Sequence, residues 1–270
     1  MQDNQCVNFL QWALPVLNMR WQGFRKVRRQ VCRRIDKRMN ELRLGSIAEY
    51  RQYLQDTPEE WPILDQICRI TISRFYRDNV VFDYLASDVF PALTASARDK
   101  NGTFRVWSCG CASGEEPYTA AMLWHYTIRP CFPEVRLEII GTDIDPALIG
   151  RAQNACYRKS ALREMPPALL EHAFVETGHG YCVNESLRQY VRFEVQDVRK
   201  QSPGGKYQVV FCRNLAFTYF APHVQEQVLR RFARVIETGG VLVTGSHELH
   251  AGEGPDFVPW IGNLPIFQKI

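Results

Sequence analysis

The 270-residue sequence contains no Cys-x-x-Cys pair, no internal repeat, no low-complexity tract and no run near the roughly 18 apolar residues that a membrane span needs. Each absence removes a class of protein. The nine cysteines, at positions 6, 32, 68, 109, 111, 131, 156, 182 and 212, are odd in number and scattered, so neither a zinc site nor a disulfide framework is expected. Reduced thiols follow. Near the start, Asp3 stands where a secretory signal would be positive, and Asn8, Gln11, Pro15 and Asn18 interrupt the apolar stretch up to Met19. A cytoplasmic protein without membrane insertion is the expectation. Charge of one sign is also lacking overall, with 33 basic residues against 29 acidic, a net +4. Hydrophobic residues at 46% and charged residues at 23% are ordinary globular values, which excludes disorder, collagen and coiled coil as the main architecture. The length suits one large or two modest domains.

The small net charge hides a local excess. Phe24, Val27, Val31, Ile35, Met39 and Leu42 fall in steps of three or four, the stripe of one amphipathic helix. Ten basic residues fill the flanks: Arg20, Arg25, Lys26, Arg28, Arg29, Arg33, Arg34, Lys37, Arg38 and Arg43, against Asp36 and Glu41 alone. The remainder of the chain is therefore net negative. Such a face can be merely solvated, can dock an acidic partner, or can contact nucleic acid. Leu44-Gly45 is the expected stop, with Gly45 in the left-handed cap, and Ser46 is the expected cap of a following helix through Tyr50 and Leu54. Residues 61–72 read as a further helix.

Past the polar break Arg98-Asp99-Lys100-Asn101-Gly102 the period changes, so a boundary is expected between Arg77 and Gly102. Short strands are predicted at 104–107, 135–140, 191–195, 207–212 and 241–244, alternating with helices that include 222–237. Alternation of this kind implies a parallel, doubly wound sheet with its ligand site at the carboxyl ends of the strands. The turn Ser108-Cys109-Gly110-Cys111-Ala112-Ser113-Gly114 allows close backbone approach to a ligand, or simply tight strand-to-helix packing. Glu115 and Glu116 directly after it repel a phosphate and favour a cationic or neutral ligand such as S-adenosylmethionine. Asp143, ending the second strand, stands where such folds bind ribose hydroxyls, though it could equally accept turn N–H groups; Asp145 before Pro146 reads as a helix cap. Cys212-Arg213-Asn214 ends an apolar strand on the same cleft.

The segment from Trp107 to Met122 resembles the signature of the CheR family, the S-adenosylmethionine-dependent glutamate O-methyltransferases of bacterial chemoreceptors. Arg34 to Arg38, Glu49-Tyr50 and Leu54 are similar to that family's N-terminal helical domain, and Ser73-Arg74-Phe75-Tyr76-Arg77-Asp78 to its arginine motif. Gly141 to Asp145, Phe211 to Asn214, and Gly239-Gly240 through Glu248 follow in the family's order. The resemblance implies an α/β fold: a doubly wound Rossmann-like methyltransferase sheet over 86–270, an all-helical domain over 1–85 and a small antiparallel β insertion at about 174–191, with its turn at Gly178-His179-Gly180. It implies further that Thr71, Ser73, Arg77, Gly110, Glu116, Asp143, Asp197, Val198, Arg213 and Asn214 bind S-adenosyl-L-methionine, which leaves as S-adenosyl-L-homocysteine, without a metal. Arg77 and Tyr219 would be catalytic. The partner implied is an acidic helical protein, the chemoreceptor cytoplasmic domain, docking on the basic helix 24–43 of a monomer. No nucleic acid is expected, since the Asp/Asn-Pro-Pro-Tyr/Phe motif of amino-directed nucleic-acid methyltransferases is missing. One residue more than usual separates Asn214 from Tyr219, which points to another protein or small-molecule acceptor as an alternative; a noncatalytic sensor of the cofactor is a third reading.

Overall fold

The computed structural model describes residues 3–100, 102–178, 180–248 and 254–270, so His179 lies outside the described residues. Two compact units result, one of Met1–Thr71 with Thr218–Gln225, the other of Ile72–Phe217 with Glu226–Ile270.

In the first unit, helices Asp3–Val16, Trp21–Phe24, Arg28–Glu41, Ile47–Asp56 and Glu60–Cys68 enclose a core that includes Leu10, Phe24, Val31, Ile35, Tyr50 and Leu64. The basic stripe is thus two helices rather than the single one its periodicity predicts. A Cβ on Gly23 would lie 2.2 Å from the Thr218 carbonyl oxygen, and Phe24 meets Tyr219 edge-on at 5.1 Å. Contact with a segment nearly 200 residues away fixes that first short helix, and no local pattern could report it. The cap also differs. Arg43, not Gly45, takes the left-handed conformation at φ 59°, with Leu44 N–H donating to the Met39 carbonyl at 2.9 Å and Arg43 N–H to that of Asn40 at 3.1 Å. These two bonds close the helix end whatever the side chain at the turn. Ser46 caps as expected, its Oγ accepting from Glu49 N–H at 3.2 Å.

Not all of the basic face is solvated. Arg34 donates to the carbonyls of Ile67 and Arg69, Arg28 pairs with Asp3, and Arg20 donates to the Thr218 carbonyl. Arg38 binds both oxygens of the buried Glu60, which also accepts the Tyr50 hydroxyl at 2.9 Å. Arg25, Lys26, Arg29, Arg33, Lys37 and Arg43 remain exposed.

The second unit carries strands β1 (Thr103–Cys109), β2 (Arg136–Asp143), β3 (Cys156–Tyr157), β4 (Phe174–Thr177), β5 (Gly180–Val183), β6 (Val191–Val195), β7 (Tyr207–Cys212), β8 (Ile236–Thr244), β9 (Phe257–Pro259) and β10 (Ile266–Lys269). The main sheet runs β6-β2-β1-β7-β8-β10-β9, parallel through β8 and antiparallel in its last two strands. Every residue of β7 is buried, as helix-covered parallel strands require. Strand order reverses between β1 and β7, which puts the topological switch point at the loops after these two strands. Residues 72–85, grouped with the helical module on sequence grounds, contribute Phe75, Tyr76, Val81, Phe82 and Leu85 to the core of this unit. The small antiparallel sheet, order β3-β5-β4, begins at Cys156, ahead of the expected 174.

The expectation of free thiols is corrected by the fold. Cys6 is bonded to Cys32, joining helices Asp3–Val16 and Arg28–Glu41, and Cys156 to Cys182, which stand opposite each other on β3 and β5. Both pairings are tertiary, and the spacing of cysteines along the chain does not encode them. Each bridge closes a 26-residue separation, for which loop entropy gives about 3.5 kcal/mol. Protein denatured without reductant should titrate the five cysteines left unbridged, and reductant should lower the midpoint of urea unfolding; nine titratable thiols would mean that both bridges are open.

Candidate functional site

Four strand ends of the second unit supply the site. After β1 the chain turns at Gly110 (φ 73°), and the N–H groups of Gly110 and Cys111 both donate to the Thr142 carbonyl on β2, at 2.8 and 2.9 Å. Asp143 carries the turn further. Its Oδ2 accepts from Ala112 N–H and its Oδ1 from Asp145 N–H, each at 3.0 Å, so one carboxylate ties the two loops together. These are the turn contacts that sequence allowed as an alternative to ribose binding. They do not exhaust the acceptor positions of a carboxylate. Asp145 caps the next helix, accepting from Ala147 N–H at 2.9 Å. Glycine is required at 114, where φ is 91° and a Cβ would approach Ala152 to 2.9 Å.

Helix Glu115–Leu123 begins with two carboxylates in different settings. Glu115 is 4% exposed, and burial pushes its carboxyl up, a rise the neighbouring Ser73 hydroxyl opposes without cancelling; its Oε2 has no hydrogen-bond partner among the described residues. Glu116 accepts from Ser108 Oγ at 2.7 Å and from Arg213 Nη1 at 3.2 Å. Burial raises its pKa also, and the Arg213 charge opposes that rise without cancelling it.

Arg213 gathers the site. Its side chain is 4% exposed; Nη2 donates at 2.7 Å to both Asp78 Oδ2 and the Arg77 carbonyl, and the guanidinium lies 5.0 Å from the Phe82 ring centroid. Arg77 is fastened twice, by Nη1 to the Ile72 carbonyl at 2.8 Å and by Nη2 to Asn214 Oδ1 at 3.2 Å. Tyr76, Asp78, Ala112 and Asn214 all have φ between 48° and 61°, values that non-glycine residues seldom adopt. Backbone strain collected in one place marks a site whose geometry the surrounding fold imposes.

Ser73, Arg77, Gly110, Glu116, Asp143, Arg213 and Asn214 therefore converge. Asp197, after β6, is bound within its own loop by Arg199 N–H and Nε, at 2.9 and 3.0 Å, and Val198 beside it is buried. Thr71 and Tyr219 belong to the helical unit, Thr71 exposed and Tyr219 packed on Phe24. Ser108, Asp78, Phe82 and Glu248 are site members that sequence reasoning did not assign. Ser108 and Asp78 lie inside the quoted motifs, whereas Phe82 reads only as core. Among the described residues no group of three or more His, Cys, Asp or Glu is placed to hold a metal.

Comparison with known proteins agrees with this architecture. Residues 71–257 match the family described as "CheR methyltransferase, SAM binding domain", and residues 26–64 match "CheR methyltransferase, all-alpha domain". A probable chemotaxis protein methyltransferase of Rhizobium etli is 29% identical over 239 residues, covering 86% of this chain and 88% of its own. The chemotaxis protein methyltransferase of Escherichia coli is 28% identical over 229 residues, 82% of this chain and 76% of its own. A 104.1 kDa protein of Rhodobacter capsulatus is 32% identical over 240 residues, and there the chain spans only a quarter of the relative's length. With both of its domain types matched in order, this chain belongs to the CheR methyltransferase family.

Proposed function

We propose that the protein transfers a methyl group from S-adenosylmethionine to glutamate side chains of chemoreceptors. The observation that carries this reading is the cluster of Arg77, Asn214, Arg213 and Glu116 at the switch point, with two helix-leading carboxylates and a glycine turn beside it. The donor set fits the cofactor. Glu116 presents a carboxylate to a cationic amino group, Asp143 one to ribose hydroxyls, and Gly110 lets backbone approach; Ser73, Arg77, Arg213 and Asn214 line the cleft, with Asp197-Val198 at the adenine end. When bound, S-adenosylmethionine supplies an electrophilic methyl on a sulfonium and leaves as S-adenosylhomocysteine.

The acceptor needs no base. A glutamate with a reference pKa near 4.3 is ionised at neutral pH, so the protein has only to orient the carboxylate and exclude water. Arg77 supplies fixed, always-charged donors for that task, and its tethers to Ile72 and Asn214 hold the guanidinium in one place. The exposed Arg25, Lys26, Arg29, Arg33, Lys37 and Arg43 form the surface on which an acidic receptor helix docks.

Incubation of receptor-bearing membranes with methyl-labelled S-adenosylmethionine should give base-labile label released as methanol. Arg77→Ala, folded by circular dichroism, should lower the rate about a hundredfold, the value of one charged hydrogen-bonding contact. Unlabelled receptors beside a labelled soluble fraction would move the reading to another acceptor, and unchanged turnover in Arg77→Ala would remove its role.

A further inference from the structure

Asn214 has φ 55°, and its side-chain Oδ1 is what receives Arg77. Something must hold that conformation. Asn214 N–H donates to Glu248 Oε2 at 3.0 Å, and the same oxygen accepts Gly245 N–H at 2.7 Å. Glu248 N–H returns a bond to the Gly245 carbonyl at 2.8 Å, and Thr244 Oγ1 donates to the Glu248 carbonyl at 3.1 Å. Cys212 and Thr244 are register partners on β7 and β8, so one carboxylate oxygen clamps the chain leaving two neighbouring strands. Space allows nothing larger. A Cβ on Gly245 would stand 2.8 Å from Glu248 Oε2 and 3.0 Å from Asn214 Cγ. Glu248 is 7% exposed, so water competes little for its bonds to these N–H groups.

We infer that Glu248 is a positioning residue of the methyl-transfer site, fixing Asn214 in the left-handed conformation from which its side chain holds Arg77. The inference rests on the reading of this cleft as the cofactor site. Glu248 bonds to backbone N–H groups where the chain leaves β7 and β8, and its influence on Arg77 passes through Asn214, which makes the two residues non-additive at that contact.

The test is a double-mutant cycle on the full chain, with S-adenosylhomocysteine as the calorimetric probe. Asn214→Gly removes the amide yet keeps a residue at ease with positive φ, and Glu248→Gln keeps an acceptor oxygen. Glu248→Ala and Asn214→Gly should each weaken the probe about tenfold, the double variant about tenfold rather than a hundredfold, and Glu248→Gln less than about threefold. A second readout needs no ligand. The Arg77 Nε–H resonance, identified by its loss in Arg77→Lys, should shift in Glu248→Ala and keep its position in Glu248→Gln. An additive double variant, or an Arg77 resonance unmoved in Glu248→Ala, would overturn the inference. Absence of probe binding by the unaltered protein would instead sink the reading of the cleft, and the resonance would then decide the role of Glu248 alone.

Discussion

Replacing Arg213 by methionine is expected to cost about 3–5 kcal/mol of stability, the largest structural loss of any single change at the site, because two carboxylates then lose their buried counter-charge. Asp78 and Glu116 both end on this guanidinium, at 2.7 and 3.2 Å, together with the Arg77 carbonyl. Methionine matches much of the volume and keeps contact with Phe82, so a cavity contributes little and the loss reports charge. That gives the prediction a pH signature. Burial already raises the Glu116 carboxyl, and removing Arg213 takes away the largest influence lowering it. A carboxyl whose folded pKa exceeds its unfolded value binds more protons in the folded state, so its ionisation destabilises the fold as pH rises. The penalty of Arg213→Met should therefore be greatest at pH 8 and shrink toward pH 5. Urea unfolding at both values measures it; a loss below about 1 kcal/mol that ignores pH would show that the surroundings already solvate these carboxylates.

Much of the fold was legible because the signals that shape it are short-range. Ser46 and Asp145-Pro146 cap their helices where sequence placed them, since a cap needs only the next three residues. The five parallel strands announced themselves as apolar runs between turn residues, and the loop after β1 by its glycines. What escaped was decided by partners far along the chain. Gly23 against Thr218, Cys6 with Cys32 and Cys156 with Cys182 are tertiary pairings that no window of periodicity contains. The last two strands of the sheet, β10 and the edge strand β9, are four and three residues long, too short to show a period. Within the site, Arg77, Glu116, Arg213 and Asn214 were reachable because a family signature carries them. Glu248 closes the last of the family motifs, and its bond to Asn214 crosses 34 positions. A buried glutamate near the end of a strand gives no sequence signal distinguishing clamp from surface residue.

Glu116 should govern how tightly the cofactor binds and how that affinity follows pH. Under the proposed reading its carboxylate meets the cofactor's amino group, so Glu116→Gln, which keeps shape and hydrogen-bonding atoms, should weaken binding about a hundredfold through loss of one charged contact. The direction with pH comes from burial. Desolvation raises the Glu116 carboxyl in the free protein, and the Arg213 charge, the Ser108 hydroxyl and Arg77 offset only part of that rise. A cationic group binds the ionised form, so protonation competes with the cofactor and affinity must fall as pH is lowered through the raised value. That fall should begin above the range of an exposed glutamate. Binding near that pH must also release protons, since the ligand pulls Glu116 toward its ionised state. Calorimetric titration with S-adenosylhomocysteine in buffers of different ionisation enthalpy counts those protons directly. Glu116→Gln should abolish both the release and the acid limb of the affinity profile. If release persists in the variant, the titrating group is the neighbouring Glu115, whose carboxyl burial also raises and whose Oε2 has no partner among the described residues. In that case the first, not the second, of the paired glutamates receives the amino group.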